Sequence, residues 1–209
     1  MQKIAAGCLG IVLLVFIIIV FVAIGSYNGL VGLSQTVDKQ WAQVQTVYQR
    51  RADLIPNLVN TVAGAANFEK STLTAITEAR ASVGQVKIDP NQAPSDPEQL
   101  AKYQAAQSQV SSALSRLLVV SERYPELKAN ENFRDLQAQL EGTENRISVA
   151  RQDFNTAVQS YNTKVKSFPT VLIAGVLGFS PKPYFQADAG AQSAPKVSFD
   201  FGASPTPAH

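Results

Sequence analysis

The chain has 209 residues, with 18 Lys plus Arg against 16 Asp plus Glu and a formal charge of +2. That length suits one domain of ordinary size with an appendage at each end, and the near balance removes the basic field that nucleic-acid binding needs. Aromatic residues stand singly along helical patterns, so stacking on bases is not expected either, and the lone cysteine, Cys8, excludes an intramolecular disulfide and gives no structural zinc site.

Residues 4–24, IAAGCLGIVLLVFIIIVFVAI, carry no charge. About 21 residues at about 1.5 Å each match a hydrocarbon core of about 30 Å, so residues 1–25 read as a transmembrane anchor. A cleaved signal peptide would have a shorter apolar region and a clearer small-residue cleavage site. Most of the apolar run follows Cys8, the reverse of a lipoprotein signal, and Ala6 with Gly10 makes one small-xxx-small pair of the kind that lets membrane helices approach. Lys3 and the amino terminus flank one side and Lys39 is the first cation on the other, which leaves a slight lean toward an extracytoplasmic domain.

Beyond the anchor, Leu30, Leu33, Val37, Trp41, Val44, Tyr48, Ala52, Ile55, Val59 and Val62 recur at spacings of three and four and predict one apolar helix face. No strong breaker separates this pattern from the anchor, so the two are expected to form one rod, loosened at Gly25, Gly29 and Gly32, kinked near Pro56 and stopped at Gly64. A second helix is expected from residue 68 to about residue 86, and KIDPNQAPSDP reads as a loop. Asp96, Pro97 and Gln99 mark the next start as an N-cap, a first-turn proline and a side chain able to reach back to the cap; this third helix runs to about Ser121. RYPELKANENF is a turn region, with Asn130 or Asn132 as the next cap.

The fourth helix has the cleanest pattern. Phe133, Leu140, Ile147, Phe154, Tyr161 and Phe168 recur every seven residues, joined by Leu136, Ala150, Val158 and Val165, and Pro169 ends the helix. The expected fold is all-α: an N-terminal transmembrane helix continuing into an antiparallel four-helix bundle (residues 26–168) with two long and two shorter helices, then an extended C-terminal tail.

Residues 168–185, FPTVLIAGVLGFSPKPYF, are apolar, but the stretch 170–179 is about half the length a span requires. In an up-down-up-down bundle the long fourth helix returns to the level where the first left the bilayer. This places segment 169–185 close to the membrane, with Val171, Leu172, Ile173, Val176, Leu177 and Phe179 available to lipid or to a neighbouring subunit, and Lys164, Lys166 and Lys182 beside anionic headgroups. The alternative is that the run packs as a last turn on the lower part of the first helix.

Catalytic patterns are missing. The only histidine, His209, cannot serve a triad, a metal centre or a di-iron pair, and there is no phosphate loop, so neither an enzyme nor a cofactor or metal is expected. Glu126, Glu131, Asp135, Glu141 and Glu144 read as charges that favour a helix N-terminus and solvate a face. In RRADLIPN, residues 50–57, Arg51, Asp53 and Asn57 are placed to meet Glu144 or Arg151 of the fourth helix in a polar layer that sets register.

Three stretches carry a family resemblance: YNGLVGLSQTVDKQWAQVQTVYQRRADLIPNLVNTV (27–62), YPELKANENFRDLQAQLEGTENRISVARQDFNTAVQSYNTKVKSFP (124–169) and GFSPKPYF (178–185). They resemble the LemA family of bacterial single-pass membrane proteins. The resemblance implies a helical bundle behind an anchor in the inner membrane, with no assigned enzymatic activity. It also suggests a role in shaping membranes, since a magnetosome protein of the family is associated with membrane invagination. Ala63 and residues 65–67 replace a more polar family stretch that often holds a histidine. The closing APKVSFDF resembles the PKVSF of many members; within the tail, residues 186–209, a linker precedes alternating Val197, Phe199 and Phe201, which suit docking on a partner by strand pairing or pocket filling. Two functions are expected to compete: a self-associating scaffold that organises or remodels the membrane, and an adaptor that presents its bundle face or tail to another envelope protein such as a membrane protease.

Overall fold

The computed structural model describes residues 2–64 and 68–187, without the side chains of residues 2–9 and 12. The described elements are helices α1 (Gln2–Ala63), α2 (Lys70–Gln85), α3 (Pro97–Ser121), α4 (Pro125–Ala129) and α5 (Glu131–Lys166), then a 3₁₀ turn at Thr170–Leu172. Among the described residues the fold is all-helical, with the short α4 standing where a turn is expected from the sequence.

One helix of 62 residues joins the apolar N-terminal stretch to the folded domain without a break. Pro56 lies inside α1 on its exposed side, where the helix continues past the missing N–H. Local chemistry sets the other boundaries. Asp96 accepts a 2.9 Å bond from the Glu98 N–H at the start of α3, and Asn130 accepts a 3.2 Å bond from the Phe133 N–H at the start of α5. Gln99 does not turn back to the α3 cap; its Nε2 donates to the Lys87 carbonyl at 2.8 Å and ties the incoming loop to the helix instead.

The core divides into two apolar clusters along the rod. Far from the apolar stretch of α1, Leu54, Leu58 and Val62 of α1 meet Ile76 of α2, Leu114 and Leu117 of α3, Leu127 of α4, and Phe133 and Leu140 of α5. Nearer that stretch, Leu30, Val37, Trp41 and Val44 of α1 meet Leu100 and Tyr103 of α3 and Phe154, Val158, Tyr161 and Val165 of α5. At about 1.5 Å per residue, α2 spans only about 24 Å against about 54 Å for α5, so the α2–α3 pair cannot cover the whole length of the α1–α5 pair. Residues following α5 close the remainder: Ala174 and Phe185 are buried in the nearer cluster.

Candidate functional site

The segment after α5 has two parts, a foot beside the end of the apolar stretch of α1 and a strap that climbs away from it. Helix α5 ends at Lys166, so Phe168 leaves the heptad face and is 79% exposed. The peptide between Phe168 and Pro169 is cis. A series of turns follows, closed by the Phe179 N–H donating to the Ala174 carbonyl at 2.9 Å and by Gly178 at φ +80, a backbone state that any Cβ would strain.

The foot is two-sided. Thr170 and Ala174 are buried, the Thr170 hydroxyl lies 3.5 Å from Ser26 Oγ of α1, and the Phe179 ring meets Tyr27 edge-on with centroids 5.7 Å apart. On the other side Val171, Leu172, Val176 and Leu177 are exposed, Val176 at 90%, while Ile173 and Phe179 are half-buried. The residues it touches in α1 begin immediately after the apolar stretch 4–24.

Charge around the foot is one-signed. Residues 25–37 are uncharged, and between 154 and 187 the charged residues are Lys164, Lys166 and Lys182. Lys164 lays its stem against Gly29 of α1, and Lys166 is exposed. Lys182 does not join them: its side chain is 10% exposed, its Nζ sits 3.4 Å from Asp38 Oδ1, and it lies over the Tyr161 ring at 5.8 Å. Its expected place beside headgroups is therefore corrected to an inward ion pair, because the extended PKP run turns it onto α1.

The strap, residues 180–187, is held by its backbone. Asn162 donates to the Lys182 carbonyl and accepts from the Lys182 N–H, both at 2.8 Å. Asn155 does the same for Phe185 at 3.0 and 2.9 Å, and Gln104 of α3 for Gln186 at 2.8 and 3.1 Å. Each side-chain amide pairs with one residue's donor and acceptor as a neighbouring strand would. Phe185 then inserts its ring among Trp41, Phe154 and the Arg151 guanidinium, at 6.1, 5.4 and 5.1 Å. Sequence reasoning missed these residues; the available signal was the pair Asn155 and Asn162, seven apart, on the otherwise apolar stripe of α5.

Between the two core clusters lies a polar joint around Arg51, whose side chain is 2% exposed. It donates to Ser111 Oγ at 2.7 Å, Glu144 Oε2 at 2.9 Å and the Gln107 carbonyl at 3.2 Å, and also to Gln107 Oε1. Of the expected layer, Arg51 and Glu144 meet and three residues do not. Asp53 is exposed and bonded to Gln49 at 2.8 Å, and Asn57 is exposed, because two and six residues from Arg51 are turned off its face of the helix. Arg151 instead donates to the Gln186 carbonyl at 2.9 Å. The tail residues Val197, Phe199 and Phe201 lie outside the described residues.

Burial beside this joint pushes the Tyr48 hydroxyl up to about 12, and Tyr103 is also raised, chiefly by burial. Both favour the protonated phenol in the fold, so their contribution is intact below the ordinary tyrosine value of about 10 and is lost as pH rises toward the folded value. Alkaline titration should therefore remove roughly 2–3 kcal/mol through Tyr48 between about pH 10 and 12. Tyr48→Phe should flatten the decline in denaturation midpoint over that range, and an unchanged slope would refute the assignment.

Taken together, these features define a helical-bundle protein carried on a long helix whose apolar first part fits a membrane anchor. A sequence model of the LemA family matches residues 40–199, and the chain belongs to that family. It is similar to Magnetosome protein MamQ 2 of Paramagnetospirillum magneticum, with 27% identity over 177 residues, covering 77% of this chain and 64% of that protein. It is similar also to Protein LemA of Metamycoplasma hominis, with 26% identity over 167 residues (80% and 72%), and to Magnetosome protein MamQ of Magnetospirillum gryphiswaldense, with 25% over 176 residues (76% and 64%). The chain thus spans 64% of the length of the MamQ relatives, a little under two thirds.

Proposed function

We propose that this chain is a single-pass scaffold of the bacterial inner membrane, with its domain on the extracytoplasmic side, which self-associates and organises or reshapes the bilayer. The observation that carries the reading is the exposed apolar foot, Val171, Leu172, Val176 and Leu177, beside the point where α1 leaves its apolar stretch. A helix that crosses the bilayer and a wedge lying in the interface would grip the membrane at two points, which transmits the tilt of a rigid rod to the lipid. Lys164 and Lys166 would sit at headgroup level on the same rim. Kinship with proteins named as magnetosome proteins, and the invagination that the family resemblance implies, support the same direction.

The test is the full-length chain in vesicles containing anionic lipid, imaged for shape, alongside particle size in detergent. The native chain should narrow or deform the vesicles. Leu172→Asp with Leu177→Asp should abolish the deformation while the helical signal is kept, since both side chains are exposed and their replacement leaves the core untouched. Equal vesicle shapes with the native and variant chains would refute a membrane-shaping role for the foot.

A further inference from the structure

Helix α2 packs along α3 and leaves a cleft of about 190 Å³ where it passes α1. On the α1 side stand Gln45, Tyr48, Ala52 and Ile55, which share one helix face at intervals of three, four and three. Arg80 and Val83 of α2, with Val86 and Ile88 just beyond its end, line the second side, and Tyr103 and Val110 of α3 the third. Gln45 is the polar exception on an apolar face. The Tyr103 hydroxyl donates to its Oε1 at 3.0 Å, so the NH₂ end of the amide is left to find an acceptor. That Nε2 is buried, and among the described residues it has no hydrogen-bond partner. A buried donor is costly to leave unpaired, so an acceptor belongs beside it.

Charge indicates which acceptor. The charged residues on the lining are Arg51 and Arg80, both cationic, and no Asp or Glu is among the described residues there. Arg51 is committed to Glu144, Ser111 and Gln107. Arg80 is exposed and makes no ion pair among the described residues. Asp53, beside Ala52 in the chain, is turned outward and bonded to Gln49. An anionic acceptor therefore meets a donor and a free cation without facing a carboxylate on the wall. Size limits it further: an apolar cavity of about 150 Å³ accepts benzene, so this cleft suits a body of about six carbons bearing one small polar head.

We propose that the cleft between α1, α2 and α3 binds a small monocarboxylic acid. Its carboxylate accepts from Gln45 Nε2 within the field of Arg80, and its apolar body lies against Ile55, Val83 and Val110. This site is on a different part of the molecule from the foot and stands whether or not the foot reshapes lipid.

Ligand-observed NMR titration of the full-length chain in a non-ionic detergent tests it, with benzoate, hexanoate and the uncharged benzamide as probes. Both acids should saturate at one equivalent per chain, and benzamide should bind more weakly. Gln45→Glu keeps the oxygen that accepts from Tyr103 and puts a negative oxygen in place of the donor, so it should weaken both acids at least tenfold with the helical signal unchanged. Ala52→Leu, which fills the cleft from its wall, should weaken all three probes. Arg80→Gln, at an exposed position, should weaken the acids about two- to fivefold and leave benzamide unaffected. Lack of saturation by either acid would assign the Gln45 donor to water and overturn the proposal. Benzamide binding as tightly as benzoate, or benzoate indifferent to Gln45→Glu or to Arg80→Gln, would overturn it as well.

Discussion

Phe185→Ala is expected to destabilise the domain by about 3–5 kcal/mol, the range for deleting a buried aromatic ring. Phe185 is 5% exposed, stacks on Trp41, meets Phe154 edge-on and carries the Arg151 guanidinium on its face. Trp41 is fully buried, and its indole N–H donates to the Asp89 carbonyl at 2.9 Å, so the ring below Phe185 also holds the loop before α3. Losing the phenyl group removes the apolar ring from a strap that is otherwise held by polar contacts, the amide grips, the Lys182–Asp38 pair and the Arg151 and Tyr161 bonds to its carbonyls. Because Trp41 is the only tryptophan, its fluorescence reports on this site alone. The variant should show red-shifted emission, a lower denaturation midpoint and new proteolysis within residues 180–187. Native-like emission and an unchanged midpoint would show that the strap is not part of the core.

Arg51→Ala is expected to cost about 3–5 kcal/mol through the void and the stranded Gln107 acceptors, and Arg51→Met less because it leaves no void. The guanidinium bridges three helices: it stands on α1, reaches Ser111 and Gln107 on α3, and pairs with Glu144 on α5. Truncation to Ala leaves a void and strands the buried Gln107 side chain without its donor, while the Glu144 side chain, 51% exposed, can return to water. Methionine refills most of the volume but leaves Gln107 equally without its donor, so the difference between the two variants reads packing and the cost they share reads the lost hydrogen bonds and ion pair. Arg51→Lys should fall between them, since a single ammonium cannot serve acceptors on two helices in the fork geometry. The differences are read from chemical denaturation of the detergent-solubilised chain. A cost below about 1 kcal/mol for Arg51→Ala would show that the joint does not couple the helices.

Helix placement was legible because it depends on neighbours in the chain. An apolar, uncharged stretch of membrane length, a seven-residue apolar repeat from Phe133 to Tyr161, and cap residues at Asp96 and Asn130 act over a few residues, and each has its counterpart in the described structure. The match of long α1 with long α5 was legible for the same reason, since helix length follows directly from residue count.

What the tertiary structure decided is where chain-distant groups meet. Arg51 and Asp53 are equally polar in the sequence, yet one is buried in a three-helix joint and the other is exposed, a difference of rotation about α1 that only the packing of α3 and α5 sets. Lys182 reads as a membrane-facing cation until Asp38 is brought to it from 144 residues away. The strap carries no periodic signal, because its recognition runs through backbone groups that every residue has, taken up by Asn155, Asn162 and Gln104 in the folded molecule. By itself, then, the sequence determined the four longer helices and an apolar stretch that fits a membrane anchor, through short-range sterics and hydrophobic periodicity, while the short α4 was read as a turn. The strap, the joint and the two-sided foot were decided by three-dimensional contact, because hydrogen bonds and burial between distant segments have no local pattern to precede them.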